Sequence, residues 1–140
     1  MALPTKMVLV VRSDLAPGEA VNAAVVVGLS LGARTSHLLG AEGEDASGGV
    51  HAALNPHPVP VLTATPAELE ELHRRAREQD EVTVVGFNDT ARQARDHDDY
   101  LNVLAQTPGE HLRQVAVALF GPRALISPLT RRLRLLGAGA

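Results

Sequence analysis

The sequence contains no cysteine, only three aromatic residues (Phe87, Tyr100 and Phe120) and a single lysine, Lys6. Without cysteine, disulfide scaffolds, thiolate zinc sites and cysteine nucleophiles are excluded. The scarcity of aromatics removes the stacking platforms that hold single-stranded nucleic acids. Long apolar runs are missing too. Met7 to Val11 is broken by Arg12, Ser13 and Asp14 after five residues, too short for a signal-peptide core. Ala20 to Ala33 contains Asn22 and Ser30 and falls short of the ~20 residues of a membrane span. Thirteen basic residues stand against sixteen acidic ones, a formal net charge of -3, which disfavours a large phosphate-tracking surface. The expectation is a soluble, cytoplasmic protein that binds neither nucleic acid nor membrane.

What is present reads as one domain spanning residues 1–140, 45% hydrophobic and long enough to bury roughly two-thirds of its unfolded surface. Lys6-Met-Val-Leu-Val-Val-Arg12 is a short β-branched run suited to a strand buried on both faces. Glu19 to about Ala33 reads as a helix that is apolar almost all round and needs cover on most sides, by a sheet and by a second subunit. A homodimer is therefore expected. Gly40 to Gly49 is a polar, glycine-rich loop that suits a lid. Val59 to Ala64 is a second strand, and Thr65-Pro-Ala-Glu68 carries the Thr cap, first-turn Pro and third-position Glu of a helix start. Strands follow at Glu81 to Phe87 and Gln114 to Phe120, with a short helix between them near Tyr100 to Leu104. A closing helix is expected to carry Leu125, Leu129, Leu133 and Leu136 on one face. The class is α/β, a layered fold with a small four-stranded mixed sheet flanked by helices.

Four side chains are candidates for chemistry. Asp14 follows a buried strand at the place where open α/β sheets bind ligands; as plain structure it caps a turn. Asn22 sits among Val21, Ala23, Ala24 and Val25, where an amide is costly to bury unpaired, and either holds the Asp14 turn or faces a ligand. Asp89 follows the third strand, as a site acid or as a helix cap. His97, within Asp96-His-Asp-Asp99, has carboxylates on both sides that favour its imidazolium, as an oriented base, as the completion of a metal site, or as part of a solvated acidic turn. His37, His51 and His57 lack metal spacing, and His73 and His111 read as surface residues, so no metal and no cofactor is expected. The glycines of the loop match no phosphate or dinucleotide fingerprint. Arg131, Arg132 and Arg134 suit the negative end of a helix dipole and form the best patch for an anion.

The order of these segments resembles the type 2 peptidyl-tRNA hydrolase superfamily. Lys6 to Leu15 is similar to that family's opening strand and Asp-Leu turn, and Gly18 with Ala23-Ala24 to the start of its first helix. Asn88-Asp-Thr-Ala91 lies where the family has Gln-Asp-Ala-Gly, and Gly121-Pro-Arg-Ala-Leu-Ile126 through Leu136 resembles its closing pattern. A closer resemblance is to a bacterial domain of unknown function grouped with the superfamily, through Asp14-Leu15, Asn22, the acidic-glycine loop and His97-Asp98 ahead of Tyr100 and Asn102. Where the hydrolases carry a lysine-rich segment, this chain has Gly18-Glu-Ala-Val21. Genome bias would exchange lysine for arginine, but Glu19 and Val21 are not cations, so genuine peptidyl-tRNA hydrolysis is disfavoured. Two functions remain. One is a hydrolase of a small polar or acylated substrate, with Asp89 or His97 activating water and Asp14 and Asn22 orienting the substrate. The alternative is a non-catalytic module that binds a small ligand or a protein.

Overall fold

The computed structural model describes residues 3–138. In chain order its elements are β1 (Thr5–Arg12), α1 (Pro17–Arg34), β2 (Gly43–Glu44), β3 (Val50–His51), β4 (Val61–Ala64), α2 (Pro66–Arg77), β5 (Thr83–Asn88), α3 (Asp89–Gln93), α4 (His97–Ala105), β6 (Gln114–Pro122), α5 (Arg123–Thr130) and β7 (Arg134–Leu135). The main sheet has the order β5-β6-β1-β4-β7. β1 and β4 run parallel, and every other neighbouring pair is antiparallel.

The continuous apolar run of β1 supplies both faces of the sheet, because successive side chains of a strand point to opposite sides. Val8 and Val10 pack with Leu69 and Leu72 of α2 and Ile126 of α5. Met7, Leu9 and Val11 pack with Ala20, Ala23, Val27 and Leu31 of α1. Helices thus cover the sheet on both sides. Leu119 in β6 is wholly buried, and truncating it to alanine is expected to cost about 2–5 kcal/mol. The Thr65 capping box is present: Thr65 Oγ1 accepts from the Glu68 amide at 3.2 Å, and Glu68 Oε1 accepts from the Thr65 amide at 2.9 Å.

The main sheet has five strands where four were expected. The fifth, β7, was read from sequence as the end of the closing helix. That helix stops at Thr130, and the leucines that suggested its continuation have a different explanation. Leu125, Leu129 and Leu133 do lie against the core, but the backbone of 134–135 pairs with the edge of β4, Leu62 opposite Leu135 and Thr63 opposite Arg134. Pro128 inside α5 offers no amide to the helix ladder, and an exposed strand edge beside the chain satisfies the backbone groups that more helix would have satisfied. Arg131 therefore caps α5, while Arg134 belongs to a strand.

Within the glycine-rich loop, β2 and β3 form a small hairpin, Gly43 opposite His51 and Glu44 opposite Val50. Asp45 closes it. Its Oδ1 accepts from the Ser47 and Gly49 amides, both at 2.9 Å, and its Oδ2 lies 2.8 Å from His51 Nε2. Gly48 has φ +87°, a left-handed conformation suited to glycine.

Candidate functional site

The C-terminal ends of β1 and β4, the end of β5 and the start of β6 meet at one edge of the sheet. Arg12 closes β1 there, with only 14% of its side chain exposed. Its Nε donates to Asp14 Oδ1 at 2.6 Å, and its Nη1 donates to the Gln114 carbonyl at 3.3 Å. The same Nη1 lies 3.6 Å from Asp89 Oδ2. Burial works against the guanidinium charge, but Asp14 and Asp89 outweigh it and hold the Arg12 pKa above its ordinary value. The hydrogen bond from Arg12 holds the Asp14 carboxyl below the usual range. Asp89 is the first residue of α3, whose cap is Asn88: the Asn88 side chain accepts from the Ala91 amide at 3.0 Å. Beside them Glu19 accepts from the Ala16 amide at 2.9 Å and forms a close ion pair with Arg92. Two cations thus neutralise most of three carboxylates.

Gln114 links this network to a cleft of about 790 Å³ between α2 and the segment leading into β6, within the size range of small-molecule pockets. A register shift between β5 and β6 explains why Gln114 reaches it. Phe87 stands opposite Ala116, but Asn88 stands opposite Gln114, so Val115 is an extra residue. Val115 joins Ala116 and Ala118 on the α1 side, and Gln114 is turned to the α2 side, as a bulge does when it re-aims a side chain. Its backbone N–H donates to Glu70 Oε1 at 2.5 Å. Its side chain lies over Gly86, where a Cβ would fall 2.5 Å from Gln114 Oε1 and 3.1 Å from His73 Nε2. His73, expected at the surface, is half-buried: α2 turns it inward over that bare backbone rather than out to solvent. Burial, then the charge of Arg77, lowers its pKa.

A family model described as "Protein of unknown function (DUF2000)" matches residues 5–137. The chain belongs to the DUF2000 family. No curated protein matches it. Among solved structures, the DUF2000 chain is similar to the protein of unknown function Atu0240 from Agrobacterium tumefaciens strain C58, with a TM-score of 0.86 and 22% identity over 96% of this chain and 98% of that one. At that identity the likeness shows the fold alone.

Of the four residues singled out in the DUF2000 sequence, the structure brings Asp14 and Asp89 together through Arg12. Asn22 is exposed, because α1 buries Ala20, Ala23, Val27 and Leu31 and residue 22 falls outside that stripe. His97 opens α4 in an exposed position, its ring 6.0 Å from that of Tyr100. No hydrogen bond or ion pair joins Asn22 or His97 to the two aspartates, and none of the four lines the large cleft. Among the described residues, no three of His, Asp and Glu gather closely enough to hold a metal ion, and no helix is long and apolar enough to cross a membrane. Sequence reasoning missed Arg12, His73 and Gln114. The available signal was Gly86 inside an apolar strand, which marks a close approach.

Proposed function

We propose that this DUF2000 protein is a non-catalytic module that binds a small molecule at the sheet edge around Arg12 and Gln114. The observation that carries the reading is the state of the candidate acids. Arg12 bonds Asp14 directly and approaches Asp89, and Asp14, whose carboxyl that hydrogen bond holds below its usual range, is a weak proton acceptor. Glu19, which stands where the resemblance sets lysines, is paired with Arg92, so this edge offers little to a polyanion. In this reading residues 1–140 form one domain of a type 2 peptidyl-tRNA hydrolase-like superfamily that retains the layered fold and has lost the lysine-dependent reaction. It works in the cytoplasm as a homodimer, joined through the outer stripe of α1, where Val21, Val25 and Leu29 are 62%, 54% and 72% exposed at the spacing of one helix face.

The test is an assay of acyl-ester and N-acyl-amino-acid hydrolysis by the purified protein and its Asp89→Asn variant. The expected result is no turnover above buffer for either. Turnover by the native protein that disappears in a folded Asp89→Asn variant would establish the hydrolase instead.

A further inference from the structure

The side chain of Gln114 is buried, the residue being 4% exposed, and its Oε1 has no hydrogen-bond partner among the described residues. A buried carbonyl without a donor is unfavourable for the free protein. A strand bulge and a bare glycine are both needed to hold it where it is. At the rim of the same cleft, Arg74 is held by Glu71 and Glu78, and Arg113 donates to the carbonyls of Glu110 and Leu112. Arg77 has neither a hydrogen bond nor an ion pair among the described residues, and is the free cation there. Three arginines and three glutamates line the cleft, so their formal charges cancel and a highly charged anion gains little. Pro66, Ala67 and Leu112 add apolar wall.

Building on the binding-module reading, we infer that the α2 cleft takes a small monocarboxylate carrying an N–H donor, of the size of an N-acylated amino acid. A small rotation of the Gln114 side chain opens Oε1 to the cleft that the residue lines, where the N–H donates to it, the carboxylate meets Arg77, and an apolar side chain lies on Leu112 and Pro66. His73 is the second polar group facing the N–H end, since its Nε2 and Gln114 Oε1 converge on the same point above Gly86.

N-acetylleucine is the probe, titrated into isotope-labelled protein while the Gln114 side-chain amide and the His73 ring nitrogens are followed by NMR. The expected result is saturable shifts of both. Binding should weaken about tenfold for 4-methylpentanoate, which lacks the N–H, and for N-acetylleucine amide, which lacks the carboxylate. Gln114→Met should abolish the effect, and Arg77→Gln, a surface change that leaves the fold intact, should weaken it to the level of the amide. Absence of shifts at Gln114 and His73, or equal binding of all three probes, overturns the inference. Shifts confined to residues around Arg12 and Asp89 overturn it while leaving the binding-module reading standing. Hydrolysis of the probe, lost in Asp89→Asn, overturns the reading on which it rests.

Discussion

The Gln114 side chain lies over Gly86 so closely that a single methyl on residue 86 would lie 2.5 Å from Gln114 Oε1. Gly86→Ala should therefore destabilise the protein by about 1–3 kcal/mol, the usual cost of overpacking. In a Gln114→Ala background the same change should cost much less, because the 2.5 Å clash is gone and only the 3.1 Å approach of His73 Nε2 remains. Urea unfolding of the two single variants and the double variant measures this coupling. Additive effects would mean that the two positions do not compete for the same space.

His73 gives a pH signature. Its folded-state pKa lies below the ordinary 6.5, so as pH falls the unfolded chain takes up the proton first and stability is lost. The loss sets in near 6.5 and continues down to the folded value. Asp14, held below 3.8, acts in a lower window. Arg77 and the uncharged Gln114 side chain lie near His73, and Glu70 and Arg74 line the same cleft. Urea midpoints measured at about pH 7.5 and 5.5 should fall more in the native protein than in His73→Gln. An equal fall in both would contradict the assignment.

Arg12 holds three elements together through Asp14, Asp89 and the Gln114 carbonyl. Arg12→Met keeps most of its apolar length and removes the cation. The expected loss is about 1–3 kcal/mol, and the Asp14 carboxyl should titrate closer to its ordinary 3.8. Chemical denaturation and carboxyl NMR titration read the two effects separately. An unchanged Asp14 titration would show that Arg12 is not its partner in solution.

These relationships explain how much the sequence could disclose. β1, the Thr65 cap and the alternation of strands and helices are local patterns, and they were legible. β7 was not. Leu125, Leu129 and Leu133 do reach the core at helical spacing, and only the edge of β4, far away in sequence, turns 134–135 into a strand. Asn22 was misleading for a related reason. Apolar neighbours along the chain suggested burial, but the buried stripe of α1 runs through 20, 23, 27 and 31, and residue 22 lies on another face. The Gln114 cleft is the least legible of all, since it depends on one extra residue in a strand pairing.

The exposed α1 stripe predicts assembly. Val25→Glu sets a charge amid Val21 and Leu29 and should convert the proposed dimer to monomer with little change in monomer stability, since position 25 is half open to solvent. Analytical ultracentrifugation across a concentration series measures it. A native protein that sediments as a monomer throughout would remove the dimer from the account.

The most direct measurement is the thermal unfolding midpoint of the native protein and Gln114→Met, each with and without saturating N-acetylleucine. An orphan acceptor kept for a ligand makes the free protein less stable, so Gln114→Met alone should raise the midpoint, by the equivalent of about 1 kcal/mol. The ligand should stabilise the native protein, by about 1.4 kcal/mol at ten times its dissociation constant, and leave the variant unchanged. A variant less stable than the native protein, together with no ligand-induced shift in either, would contradict the account.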